Sequence, residues 1–430
     1  VPDLHHDIET GSALDLSKVG AWVYAEHSST IVRCLAFAVD DGPVQTWLPP
    51  DPPPEAFTEA WRDPSWRVYA HNAAFERVIA HHILIRRHNF PEIPLARWRC
   101  TMAMALASAL PAKLEKLADV LGLAHRKTAD GPRLIKRMCF PRPDGTFDDD
   151  PEWMQRLIDR CRQDVEIERD VHHRLPELSG DEQKIWMLDA VINARGFYTD
   201  SALLEAAAHL GAGFDQAIQT EIAEITAGAV TSTTQVAKLQ AWLAGRGCEI
   251  KDATKGTLKA ALRRKALDPA ARRAIELRLG AAFDTKCETM IERRSADRRV
   301  RGCLQFHGAG TGRWAARGVQ VQNFTRDPGD VDMKIAAIMA GDMRGYDQPL
   351  GAIADAARGA ICAAPGSRFL IGDFSGIESR VLAWIAEETA KLEQWRRFDA
   401  TGDPKDEPYF ILGKACGMPD ERARQGKYST

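Results

Sequence analysis

Residues 368–385 read Arg-Phe-Leu-Ile-Gly-Asp-Phe-Ser-Gly-Ile-Glu-Ser-Arg-Val-Leu-Ala-Trp-Ile. Phe369, Leu370 and Ile371 form a short continuous apolar run of the kind carried by a buried strand. The strand is expected to end at Asp373, after which Ile377, Val381 and Ile385 recur at helical spacing. One carboxylate then sits at a strand tip, and Glu378 falls in the first turn of a helix. Hard cations take oxygen ligands on rigid supports, so such an Asp can hold a Mg²⁺ over a nucleotide triphosphate. Taken alone, the two acids also fit an N-cap Asp and a solvated Glu.

Outward from this stretch, the chain has 430 residues, room for two or three domains, with an ordinary globular composition of 45% hydrophobic and 27% charged residues. No apolar run approaches the ~20 residues needed to cross a bilayer. The opening Val-Pro-Asp-Leu-His-His-Asp lacks the basic and apolar regions of a secretory leader. The nine Cys are odd in number and include no Cys-x-x-Cys pair, which argues against a zinc ribbon and a disulfide framework. A reduced, cytoplasmic protein is expected. The net charge of −3 hides an asymmetry, since residues 246–301 hold 16 Lys and Arg against 8 Asp and Glu. Blocks such as Arg263-Arg264-Lys265 suit a surface that tracks phosphates, although a solvated helical face would look the same.

The first 175 residues read as α/β, with strand-like runs at 4–9, 19–24 and 31–37. The last two are separated by a polar turn around His27-Ser28-Ser29, which suggests a hairpin. Helical stretches follow, one around 152–172. Residues 178–292 are Ala-, Leu- and Arg-rich with helical periodicity, 308–318 is a Gly- and Arg-rich loop, and 319–324 returns to an extended pattern.

A second set of acids lies at the front. Asp7 and Glu9 are two apart on a strand and so face the same side, where their repulsion calls for cations. Asn72 follows the strand-like 66–70, and Ala73-Ala74-Phe75-Glu76 opens a helix. On the later helix Trp153, Leu157, Cys161 and Val165 make an apolar stripe flanked by Asp164. His5 and His6 point to opposite faces of their strand, which disfavours a shared transition-metal site.

Together these motifs resemble family A DNA polymerases of the phage or prophage type. Residues 373–380 resemble motif A, with Phe374 in place of its usual Tyr. Asp7-Ile8-Glu9-Thr10, Asn72-Ala73-Ala74-Phe75-Glu76 and Cys161-Arg162-Gln163-Asp164-Val165 resemble the three motifs of the attached 3′–5′ exonuclease. Leu110-Pro111, Leu114-Glu115-Lys116-Leu117-Ala118, Lys127 and 131–135 also look like that domain. Two departures stand out. Glu76 replaces the more usual Asp, and Arg160 stands where the family has a Tyr that orients the attacking water. An Arg there can pair with Asp164 at i+4, competes with metal for the carboxylate, and cannot act as a base.

The resemblance implies a mixed-sheet, RNase H-like exonuclease domain over 1–175. It further implies a helical linker and thumb over 176–300, and a palm with the start of the fingers over 301–430. It implies template-directed DNA synthesis with proofreading, by two-metal phosphoryl transfer using Mg²⁺ or Mn²⁺. Asp7, Glu9, Glu76 and Asp164 would hold the exonuclease ions and Asp373 those of the polymerase site. The Phe374 carbonyl, Glu378 and Lys427 would face the incoming dNTP. Arg313, within Thr311-Gly312-Arg313-Trp314, would touch primer–template DNA with Gln322 and Asn323, and the Arg263, Arg264, Lys265 block would grip the duplex. The partners implied are primer–template and single-stranded DNA and dNTPs. Gly308-Ala309-Gly310-Thr311-Gly312 lacks the residues of a phosphate-cradling motif. The second palm acid motif, His-Asp-Glu, is absent, and Asp406-Glu407 is not a substitute, so a fragment of a longer polymerase is expected. A Mg²⁺-dependent exonuclease alone, or a non-catalytic primer–template binder, are the alternatives.

Overall fold

The computed structural model describes residues 1–123, 131–281, 286–325 and 328–425. They form two compact units, Val1–Ser367 and Arg368–Thr430.

The first unit opens with a five-stranded sheet of order β3-β2-β1-β4-β5. Its strands are β1 (Asp3–Gly11), β2 (Ile31–Val39), β3 (Gln45–Trp47), β4 (Arg67–Ala70) and β5 (Trp98–Cys100). β1 runs antiparallel to β2 and parallel to β4, so the sheet is mixed. A register shift between Glu9 and Thr10 marks a bulge on β1. One face packs Leu4, Ile8, Phe37, Phe57 and Trp98 into the largest core. On the other, Cys34, Ala36 and Ala38 meet Leu157, Cys161 and Val165 of the long helix Pro151–Arg174. The apolar stripe read from the sequence is therefore the buried one. Asp150 caps this helix by accepting from the Glu152 and Trp153 amides, with Pro151 at its first position.

Residues 19–24 are not a strand. They belong to the helix Leu16–Glu26, capped by Asp15, whose side chain accepts from the Ser17 amide. The β-branched and aromatic run mimics a strand, but Tyr24 and Ala25 are buried, and Gly20 (φ 76°) kinks the helix. β2 instead pairs antiparallel with β1 on one side and β3 on the other.

Beyond the sheet, residues 178–281 and 286–292 are mostly helical as expected, with long helices Gly180–Arg195 and Ser201–Ile225. Between these two helices lies β6 (Phe197–Thr199), the centre of a three-stranded antiparallel sheet with β7 (Arg299–Val300) and β10 (Ile361–Cys362). The turn from helix to β6 needs Gly196, at φ +59°, because a Cβ there would lie 2.2 Å from the Val300 carbonyl oxygen. A short hairpin of β8 (Leu304–Gln305) and β9 (Ala315–Ala316) closes the Gly- and Arg-rich loop. Residues 319–324 contain the 3₁₀ turn Val321–Asn323 rather than a strand.

The second unit is helical, with Ile377–Ile385, Thr389–Thr401, Pro408–Ala415 and Asp420–Gln425. The helix expected after Asp373 is present, and Glu378 lies in its first turn. Residues 369–371 are irregular and exposed, Leu370 at 88% and Ile371 at 93%. A strand needs a neighbour to satisfy its amides, and the described residues of this unit contain none.

Candidate active site

The acids of β1 meet the long helix through matched repeats. Two residues along a strand advance about 6.7 Å, and four along a helix about 6 Å. Glu9, Asp7, His5 and Asp3 therefore descend one face of β1 opposite Arg160, Asp164, Glu168 and His172 on the helix. Two of the rungs are hydrogen-bonded contacts. Arg160 Nε donates to Glu9 Oε1 at 2.9 Å, and His5 Nδ1 lies 2.7 Å from Glu168 Oε2. Carboxylate oxygens of Asp7, Glu9 and Asp164 come within 4.8 Å of one another.

Glu76 joins this group from the helix Ala73–Ile79, where Asn72 enters in the left-handed region (φ 67°). It is 3% exposed, and its Oε2 has no hydrogen-bond partner. Burial, then the nearby Asp7 charge, pushes the Glu76 carboxyl well above its usual range. Asp7 is also raised, by burial first and then by Asp164 and Glu9, against the opposing Cys161 thiol and Arg160. Cys161 Sγ lies 3.5 Å from Asp7 Oδ2. The sequence thus brings all four front acids into one neighbourhood.

Arg160 sits among them. Its Nη2 is 3.7 Å from Asp164 Oδ2, the i, i+4 pairing the sequence allows. Burial works to lower the Arg160 pKa, but Glu9 and Asp164 outweigh it and hold the guanidinium charged. The clustered oxygens of Asp7, Glu9 and Asp164, with the buried Glu76 close enough for its charge and that of Asp7 to interact, form an all-oxygen donor set that fits hard divalent cations such as Mg²⁺ or Mn²⁺.

Sequence reasoning missed the lower rungs. Glu168 is 1% exposed, and burial, which would raise its pKa, is overcome by His5, with His172 and His71 adding to the lowering. The signal was present as the i, i+4 series 160-164-168-172 facing the i, i+2 series 9-7-5-3. Asp3 and His172 lie near His5 but are engaged elsewhere, Asp3 with Arg67 at 2.7 Å and His172 with Glu177 at 3.1 Å. His6 points to the opposite face, against Phe57 and Trp98, as strand alternation requires.

Arg313, Gln322 and Asn323 are exposed, Arg313 in the loop between β8 and β9. That loop is tethered where Trp314 Nε1 donates to Asp189 Oδ1 at 2.7 Å. Asn193 fixes the hairpin base, donating to the Leu304 carbonyl and accepting from its amide. Of the basic block, Arg264 is partly spent on the Glu249 carbonyl at 2.9 Å, whereas Arg263 and Lys265 are exposed.

In the second unit, Asp373, Phe374 and Glu378 are all exposed, the first two on irregular backbone. Gly376 (φ 61°) precedes the helix, and a Cβ there would lie 2.2 Å from the buried Trp395 ring. Arg380 donates to both Asp399 oxygens, at 2.6 and 2.7 Å, and to the Ser375 carbonyl. Lys427 lies outside the described residues, as does Lys127.

No protein-family model matches the chain. A DNA polymerase of Bacillus phage SP02 is 32% identical over 408 residues, covering 90% of this chain and 62% of the phage protein. The fold is similar to the POL domain of Pol1 from M. smegmatis, solved in complex with DNA primer-template and dNTP. That likeness has a TM-score of 0.53 at 16% identity, covering 98% of this chain and 66% of the other. The chain therefore spans less than two thirds of the length of the phage relative. The chain is thus similar in sequence, over 90% of its length, to a phage DNA polymerase, and similar in fold, over 98%, to a polymerase domain.

Proposed function

We propose that this chain carries the proofreading 3′–5′ exonuclease of a family A DNA polymerase, followed by its thumb and part of its palm and fingers. The observation that carries this reading is the convergence of Asp7, Glu9 and Asp164 beside the buried Glu76. In this reading residues 1–175 are the exonuclease, 176–300 the linker and thumb, and 301–430 palm and fingers. The substrates are primer–template DNA, single-stranded 3′ ends and dNTPs.

Asp7, Glu9, Glu76 and Asp164 would hold two Mg²⁺ ions. Such ions activate a water and neutralise charge building on the phosphodiester as the 3′-terminal nucleotide leaves. Arg160 cannot accept the water's proton. It competes for Glu9 and Asp164 instead, which raises the Mg²⁺ concentration that activity requires. The sheet behind β1 keeps the acids rigid, and the bulge after Glu9 ends the acidic face.

For the polymerase reaction, Asp373 would hold metal, the Phe374 carbonyl would assist, and Glu378 would stand against the sugar. Arg313, Gln322, Asn323 and the 263–265 block would hold the duplex by its backbone and minor groove. An exonuclease acting without the polymerase reaction is the second reading. It is favoured by the assembled front acids, whereas Asp373 lies on exposed irregular backbone.

The test is incubation of the chain with a 5′-labelled, 3′-mismatched primer–template and Mg²⁺, with and without dNTPs. Shortening that requires Mg²⁺ and falls at least a hundredfold in Asp7→Ala is expected. Extension with dNTPs that is lost in Asp373→Ala supports the polymerase assignment. Salt-sensitive binding with neither reaction, unchanged by Asp7→Ala and Asp373→Ala, would replace both enzyme readings with a primer–template binder.

A further inference from the structure

On the side of β1 opposite the acids lies a cavity of about 420 Å³, within the size range of small-molecule sites. Its wall includes Phe57, Phe90 and Trp98, with His6 and Arg77 as polar members. His6 and Arg77 directly follow or precede the acids of the first site in sequence, next to Asp7 and Glu76 respectively. The π-helical turn Ala80–Leu84 widens the helix that frames one side.

Two groups in this wall lack the partner their burial calls for. His6 is 2% exposed, and its Nδ1 has no hydrogen-bond partner. A ring nitrogen in that position can offer a lone pair or an N–H to a ligand. Among the described residues, the Arg77 guanidinium makes no hydrogen bond or ion pair, although the residue is half-buried. A partly desolvated cation with no counter-charge is costly, and an anion beside it would relieve that cost. The other cations of the wall are committed. Arg86 lies 3.1 Å from His81 Nε2, and Arg301 is held by Asp297 and the Ala194 carbonyl. The acids that line the cavity, Glu26 and Glu92, are exposed.

We infer that this cavity binds a nucleoside 5′-monophosphate, with the base among Phe57, Phe90 and Trp98 and the phosphate on Arg77. Base–aromatic stacking suits any base, because each has a π face, while the His6 Nδ1 can meet a polar edge. The guanidinium selects the phosphate. The occupant would brace β1 and the helix Ala73–Ile79 at positions adjacent to Asp7 and Glu76, a regulatory place for a released nucleotide. The binding itself does not depend on the exonuclease reading.

The test is calorimetric titration of the whole chain with 2′-deoxyadenosine 5′-monophosphate in EDTA, so that no metal bridges phosphate to the acids. Saturable one-site binding is expected, at least tenfold tighter than that of 2′-deoxyadenosine. Arg77→Met should weaken it at least tenfold, and Asp164→Asn should change it less than twofold. Absence of binding by the folded chain would overturn the proposal, as would equal affinity for the nucleoside without phosphate. Loss in Asp164→Asn with no loss in Arg77→Met would also overturn it, placing the nucleotide at the acids. The comparison of the two ligands on the unaltered chain decides the matter even if Arg77→Met fails to fold.

Discussion

Arg160 occupies a position where charge has to be balanced in the absence of an ion. Its guanidinium reaches Glu9 at 2.9 Å and Asp164 at 3.7 Å, so removing it leaves crowded carboxylates with no cation. Arg160→Gln should therefore lower the first melting transition in EDTA by about 2–4 °C. Millimolar Mg²⁺ should restore it by mass action. A thermal shift series against Mg²⁺ checks this, and a variant indifferent to Mg²⁺ would separate Arg160 from metal binding. In the second unit, Gly376 is set by backbone and space together, at φ 61° with Trp395 where a Cβ would go. Gly376→Ala should cost about 2–4 kcal/mol. It should be read as faster limited proteolysis within 368–425, with 1–367 remaining intact. Arg160 was legible in the sequence because its i, i+4 relation to Asp164 is local. Glu168 shares that i, i+4 series, but its burial is explained only by the tertiary pairing with His5.

The helix Gly180–Arg195 carries Asp189, whose carboxylate holds Trp314 at the loop between β8 and β9. Burial raises its pKa to about 6, above the ~4 expected unfolded. The folded state therefore retains a proton that the unfolded state has released. Its contribution to stability falls as pH rises from about 4 to 6 and stays unfavourable above that. Asp189→Asn keeps an oxygen for Trp314 and removes the buried charge. It should stabilise the chain by about 1–2 kcal/mol at pH 8, with the gain shrinking as pH falls from 6 to 4. Denaturant melts at several pH values measure it, and a pH-independent difference would contradict the buried charge. At this scale the sequence was legible wherever a repeat was long, as along Pro151–Arg174. It misled at 19–24, where β-branched and aromatic residues sit on a capped helix. At 369–371 the apolar run was plain, but a strand depends on a neighbour that local sequence does not specify.

Across the whole molecule the charge is segregated, with a basic stretch at 246–301 in a chain of net charge −3. Arg263 and Lys265 make no side-chain ion pair among the described residues, whereas Arg264 donates to the Glu249 backbone carbonyl. Reversing the first two, Arg263→Glu with Lys265→Glu, should weaken duplex binding without altering sequence preference. The slope of log affinity against log salt should fall by about 2, as measured by fluorescence anisotropy between roughly 50 and 200 mM salt. An unchanged slope would remove the block from the DNA path. The seam between β1 and the long helix has one more property. Its two repeats differ by about 0.7 Å per rung, so they behave as a vernier scale that coincides over a few divisions and then drifts. After three steps the slip is about 2 Å, enough to turn a hydrogen bond into a gap. A polar seam of this kind has a natural maximum length. Lengthening strand and helix together could not add a further working rung, so further ligands have to come from outside the seam, as Glu76 does.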